Sequence, residues 1–306
     1  MQRSLYRAVT VVASVTWLLI FPVTGASSQG DSARAPQAIG ALIDIGGFRL
    51  HLDCRGRGHP TVIMEAGAGD FSFDWALVQP VVSAFTRVCT YDRAGYAWSD
   101  PGPTPRTLRQ LSTELRALMR AGNERGPFVL VGHSFGGLIV RTYAATYPRD
   151  VVGMLLIDAT HEDNDMMLNG KTVMLRDLSR HRPIPPARLG PQDRTPSGAE
   201  GSPSSQVDKV TSPYDRLPAG SQALRLWATG QPAYSSARSS EFDYLAEEVA
   251  LMHDVRLKRR HVLGQLPLIV LTRGDAVGRS SRVSLALRVA LRAGARTNSR
   301  ARWRGA

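Results

Sequence analysis

Lysine is almost absent from this chain of 306 residues. Lys171, Lys209 and Lys258 stand beside 35 arginines, a bias that points to a GC-rich coding sequence before it points to a task. The body also lacks an excess of either charge. The formal net charge of +12 collects at the ends. Residues 1–26 hold Arg3 and Arg7 and no acid, and residues 279–306 hold eight arginines and no acid, which leaves +2 for the 252 residues between. A near-neutral body offers no general nucleic-acid surface, and no nucleic-acid partner is expected. Cysteine is scarce as well. Cys54 and Cys89 come without CxxC or HxxxH companions, so no metal site is expected. No nucleotide motif is present, and no cofactor is expected. Long apolar runs are missing too, which excludes a multispan membrane protein. What the chain does have is 43% hydrophobic and 21% charged residues, enough to bury a sizeable core and too apolar for a disordered chain.

The first segment reads as an export signal. Arg3 and Arg7 make a positive start. Ala8 to Val23 is an apolar run interrupted by Thr10, Ser14, Thr16 and Pro22, and Thr24-Gly25-Ala26 offers small residues for cleavage. Sixteen residues are short for a membrane span. An uncleaved N-terminal anchor is the alternative, and both readings put the domain outside the cytoplasm, secreted or membrane-anchored. A polar linker, 27–40, follows.

Short apolar runs predict strands at Ala41–Ile45, Phe48–Asp53, Thr61–Glu65, Arg87–Tyr91, Phe128–Val131, Val152–Ile157 and Leu266–Leu271. The later runs are continuous Val/Ile/Leu, as parallel strands covered on both faces require. Between them, Thr107–Arg120 carries Leu108, Leu111, Leu115 and Leu118 on one stripe, with Thr107 and Gln110 as a capping-box pair and Gly122 as a stop. Phe135–Tyr147 is a second helix. Strands alternating with helices predict an α/β fold with a mostly parallel sheet. The alternation stops between Asp158 and Leu266. Residues 182–218 hold eight prolines, and a helix resumes at Glu241–Val255 on the stripe Phe242, Leu245, Val249 and Met252. An insertion of this length, about 159–264, reads as a cap over a pocket or as a passive insertion.

The most informative segment is Phe128-Val129-Leu130-Val131-Gly132-His133-Ser134-Phe135-Gly136-Gly137. It sets G-x-S-x-G directly after a buried strand and directly before a helix, the context in which the motif raises a nucleophilic serine above a sheet edge. Gly132 and Gly136 supply the small flanks that so tight a turn needs. The helix N-terminus favours developing negative charge.

With these residues the chain resembles the α/β-hydrolase fold superfamily. The resemblance covers most of residues 41–275. It extends to Glu65-Ala66-Gly67-Ala68-Gly69 with Trp75 following, and to Tyr91-Asp92-Arg93-Ala94-Gly95-Tyr96-Ala97-Trp98-Ser99-Asp100. It implies a hydrolase domain over 41–278, with Ser134 as nucleophile and the backbone amides of Ala68 and Phe135 as oxyanion hole. It also implies a structural role for His133 and a turn fixed by Asp92, Arg93 and Asp100. The same fold sets the strands of Cys54 and Cys89 side by side. An exported chain could bridge them, and a disulfide and two buried free thiols both stay open.

A serine nucleophile needs a base oriented by an acid. The superfamily's order, Ser then Asp or Glu then His, leaves Asp275 after the strand Leu266–Leu271 and Asp158 after the strand Val152–Ile157 as acids. No histidine can be assigned. The seven stand at 51, 59, 133, 161, 181, 253 and 261, none of them after Asp275. His161 and His253 could approach from the cap side. Arginines 288, 292, 296, 300 and 304 make a helical stripe that could bind an anionic membrane surface or nucleic acid. The competing reading of 279–306 is a tail translated from an altered reading frame or truncated gene. The implied activity is that of an exported serine hydrolase acting on a small-molecule ester or related acyl substrate. Its alternatives are a catalytically impaired binding protein and an acyltransferase or cofactor-free haloperoxidase-like enzyme.

Overall fold

The seven apolar runs all become strands of one sheet, each within two residues of its predicted bounds, in a computed structural model that describes residues 35–190, 209–258 and 263–272. The strands are β1 (Ala41–Asp44), β2 (Arg49–Arg55), β3 (Val62–Glu65), β4 (Val88–Tyr91), β5 (Phe128–His133) and β6 (Val151–Ile157). A hairpin of β7 (Asp165–Leu168) and β8 (Lys171–Met174) forms a separate small sheet, and β9 (Leu268–Leu271) returns to the main one. The order is β1-β2-β4-β3-β5-β6-β9. β1, β2 and β4 pair antiparallel; β4-β3, β3-β5, β5-β6 and β6-β9 pair parallel. Leu130, Val129 and Ile63 in the middle of this sheet are fully buried, as strands covered on both faces must be.

The helices are α1 (Gln79–Ser83), α2 (Leu108–Ala121), α3 (Gly136–Thr146), α4 (Ala219–Thr229), α5 (Pro232–Ser240) and α6 (Leu245–Lys258). Leu108, Leu111, Leu115 and Leu118 of α2 are all buried, which is the predicted stripe. Its N-cap differs from the expectation. Thr107 Oγ1 accepts from the Gln110 amide at 3.1 Å, but the Gln110 side chain turns to Glu114 and to the Arg188 carbonyl. The remaining first-turn amides are met from α6. Glu248 of α6 accepts from the amides of Leu108 (2.8 Å) and Arg109 (3.2 Å). At the other end the left-handed residue is Asn123 (φ 58°), one past Gly122.

Glu248 makes the stability of this docking pH-dependent. Burial pushes its carboxyl up to about 7, against the two amides and the Arg109 charge that favour ionisation, with Glu247 adding repulsion. An unfolded glutamate sits near 4.5, so between 4.5 and 7 the folded chain holds the extra proton. Its contribution is full below 4.5 and is lost as pH rises through 7, at about 1.4 kcal/mol per unit. Glu248→Gln keeps an acceptor and removes the titration. Urea unfolding at about pH 5.5 and pH 8 is expected to show a shallower loss in the variant than in the parent; equal slopes would contradict this.

The predicted helix at Glu241–Val255 starts later, at Leu245. Leu245 and Val249 are buried as expected, but Phe242 lies in the preceding turn, 47% exposed, and stacks on Phe135. Among the described residues, the segment 159–264 thus holds the β7–β8 hairpin, three α-helices and two short 3-10 turns. α4 and α5 carry no aliphatic stripe that could have announced them. They pack through Ala228, Tyr234 and Ala237 against Phe71, Phe73 and Tyr96.

Cys54 and Cys89 face each other across β2 and β4, and a disulfide joins them with Cα atoms 4.1 Å apart. Such a bridge stabilises by about 2–4 kcal/mol. Replacing both cysteines by serine is expected to lower the denaturant midpoint correspondingly, and non-reducing peptide mapping should recover the linked pair; an unchanged midpoint would contradict the contribution. Glu124, the third member of the one potential metal-ligating group among the described residues, pairs with Arg87 instead.

Candidate active site

Ser134 stands at the junction of β5 and α3 with φ +50°. That left-handed backbone costs a non-glycine residue roughly 1–3 kcal/mol, so the surroundings must hold it. They do so through small residues. A Cβ at Gly132 would lie 2.7 Å from Val140 and 2.8 Å from the Gly136 carbonyl; one at Gly136 would lie 2.6 Å from the Ala66 carbonyl; one at Gly137 would strike Ala159. Backbone bonds complete the clamp. The Ser134 amide donates to Ile157 (3.1 Å), and Thr160 donates to the Ser134 carbonyl (2.9 Å).

Phe135 is the N-cap of α3, where the first turn leaves its N–H groups without intrahelical acceptors. Gly67 brings the second backbone segment close: a Cβ there would sit 3.3 Å from Ser134 Cβ. Ala68 follows and packs in the same apolar cluster as Phe135 and Leu138. The two backbone segments expected to form an oxyanion hole therefore flank the serine.

His133 Nδ1 lies 3.5 Å from Asp70 Oδ2, and its ring stands edge-on to Trp75. Burial opposes ionisation of Asp70, but hydrogen bonds from His133 and Tyr214 and the Arg225 charge outweigh it and hold the carboxyl below its ordinary value. Asp158 follows β6 with φ +44°, its amide donating to the Leu271 carbonyl at 2.7 Å. It is thus beside the end of β9 and two residues before the Thr160 bond to Ser134. Asp275 lies outside the described residues, as do His261, the segment 1–26 and the arginine stripe. His161 and His253 both sit on Asp163, at 3.6 and 3.4 Å. Burial, ahead of the opposing Glu162 charge, lowers the His161 pKa below its ordinary value. These two histidines belong to a charged cluster with Glu162, Arg141, Arg176 and Arg256.

The Tyr91–Asp100 turn divides its roles differently from the expectation. Asp92 takes His51 Nδ1 at 2.7 Å and the Ser72 amide at 2.7 Å, and Asp100 pairs with Arg49. Arg93 leaves the turn and reaches the loop beside Ser134. It donates to the carbonyls of Ala66 (3.0 Å) and Gly67 (2.8 Å) and to Glu65 (2.9 Å) and Glu241 (2.6 Å). Burial pushes Glu65 up to about 7 in spite of Arg93 and Tyr91. Arg93 stays charged, because the surrounding carboxylates, Glu241 first, outweigh its desolvation. The sequence marked Arg93 through its motif but gave no sign of Glu241, which lies 148 residues away.

Residues 60–221 match the family described as alpha/beta hydrolase fold. A relative from Gibberella zeae, named as an AB hydrolase superfamily protein, is 27% identical over 220 residues, covering 71% of this chain and 63% of the relative. The protein YqjL of Bacillus subtilis is 33% identical over 115 residues, 37% of this chain and 46% of the relative. A probable transporter from Hormonema carpetanum is 34% identical over 129 residues, 40% of this chain but 18% of the relative. The chain spans less than two thirds of the length of each of these curated relatives. A solved meta-cleavage product hydrolase from Pseudomonas fluorescens shares the fold, with a TM-score of 0.53 and 20% identity over 85% of this chain and 99% of that one.

Proposed function

The chain belongs to the alpha/beta hydrolase fold family, and on that premise we propose that it is an exported serine hydrolase acting on esters or related acyl substrates. The observation that carries the reading is Ser134, held at a left-handed φ between β5 and α3 with Gly67 against its Cβ. In this reaction Ser134 Oγ attacks the acyl carbonyl and the carbonyl oxygen becomes an oxyanion between the amides of Ala68 and Phe135. Collapse expels the alcohol and leaves an acyl-serine. Water then attacks the acyl carbonyl and frees the acid, returning the serine hydroxyl. The backbone donors stabilise the tetrahedral oxyanion formed in each of the two steps. The second step, and proton transfer in both, calls for a base.

Export fits the disulfide between Cys54 and Cys89, since such bridges persist in oxidising compartments. A relative from Cronobacter turicensis, named as a putative carbamate hydrolase, is 33% identical over 103 residues; carbamates therefore join carboxylic esters among the substrates to assay.

The test is a p-nitrophenyl ester time course at enzyme concentrations that resolve the first turnover. A burst of about one p-nitrophenol per chain followed by a slow phase is expected. Release with no burst and no saturation would overturn the reading.

A further inference from the structure

We propose that the buried Arg93–Glu241 pair positions the Ala68 amide of the oxyanion hole, so that docking of the cap sets the hole. The proposal rests on the hydrolase reading above. Arg93 has five N–H donors, and all are used. Nε and one hydrogen of Nη2 go to Glu241, the other hydrogen of Nη2 to the Gly67 carbonyl, and those of Nη1 to Glu65 and the Ala66 carbonyl. The guanidinium is thereby fixed in plane and in depth.

The Gly67 carbonyl and the Ala68 N–H belong to one planar trans peptide, in which they point in opposite directions. Anchoring that carbonyl on Arg93 at 2.8 Å turns the Ala68 N–H away from the guanidinium. Without the anchor, this peptide of the glycine-rich loop would keep one tether in place of two. A second donor, the Asp70 amide at 3.2 Å, holds the same carbonyl from within the loop.

Glu241 enters from the cap, as the C-cap of α5, and is fully buried. It also accepts from Tyr96 Oη at 2.8 Å. Other cap residues grip the next positions of the loop. Tyr234 Oη donates to the Gly69 carbonyl at 3.0 Å, and Tyr214 Oη donates to Asp70 at 2.5 Å. The cap thus holds residues 66–70 from outside while β3 holds them from below. A buried cation left with one carboxylate in place of two would be free to shift toward it, and the Gly67 peptide would follow.

The experiment is covalent labelling by a fluorophosphonate, resolved into a maximal rate and an apparent affinity, with thermal unfolding run beside it. Glu241→Gln is expected to lower the maximal rate tenfold or more and leave the apparent affinity within twofold. Glu248→Gln, which keeps an acceptor at the start of α2 and touches no residue of the loop, is expected to leave both unchanged. Glu241→Asp keeps the charge but withdraws it by one methylene, and is read the same way if the glutamine variant does not fold; a threefold or greater drop is expected. An unchanged maximal rate in the Glu241 variants would overturn the positioning role, as would an equal loss in Glu248→Gln. A parent chain that is not labelled at all would overturn the hydrolase reading itself.

Discussion

Replacing Ser134 by alanine is expected to remove the p-nitrophenol burst completely and to lower ester turnover by at least a hundredfold, with little change in unfolding midpoint. The expectation follows from the elbow. The left-handed φ of +50° is held by the surrounding backbone, and alanine tolerates that φ about as badly as serine, so stability is preserved in comparison with the parent. The flanking contacts at Gly132, Gly136 and Gly137 are to Val140, Ala159 and the backbone of Glu65, Ala66 and Gly136, and the substitution touches none of them. Residual activity is expected, since oxyanion donors and binding alone still accelerate acyl transfer. A variant with an intact burst would place the nucleophile elsewhere.

The second large effect concerns the base. Replacing residues 273–306 by a hydrolase-type ending that carries a strand and a loop histidine is expected to raise turnover of p-nitrophenyl esters by about a hundredfold to ten-thousandfold. That is the range a positioned general base contributes. The motive is the placement of the histidines among the described residues. His133 is engaged by Asp70 and Trp75, and His161 and His253 are engaged by Asp163. Asp158 already stands at the sheet edge, its amide bonded to Leu271. The measurement is steady-state turnover of the two chains compared at equal active-site titre. If the parent already turns over rapidly and His161→Ala or His253→Ala abolishes it, the base comes from the cap side and the gain from grafting will not appear.

The sheet was legible in the sequence because its strands are short, apolar and bounded by glycine, proline or charge. Val129, Leu130 and Val131 can be buried only between two layers, and they are. The elbow was legible for a related reason: so tight a turn admits few side chains, and Gly132 and Gly136 wrote that constraint into the letters. The cap was less readable. α4 and α5 bury alanine, serine, tyrosine and an arginine, not the run of leucines and valines that marks a core helix in the sequence. Arg225 enters its interface by pairing with Asp74 and stacking over Tyr214, an arrangement set by partners far away in the chain. The same holds for Arg93. Its motif announced a turn, but its work at the Ala66 and Gly67 carbonyls depends on Glu241, and long-range ion pairs leave no local pattern. The Gln110 side chain shows the reverse case, a local capping signal overruled by a glutamate from another helix.

The central claim is that Ser134 is the nucleophile, and the most direct test is to find the covalent bond. The parent chain is treated with a fluorophosphonate, digested, and its peptides are sequenced by mass spectrometry. One phosphonyl adduct per chain, on the peptide containing Gly132 to Gly136 and fragmenting to Ser134, is the predicted result. An unmodified Ser134, or an adduct on another residue in its place, would contradict the claim.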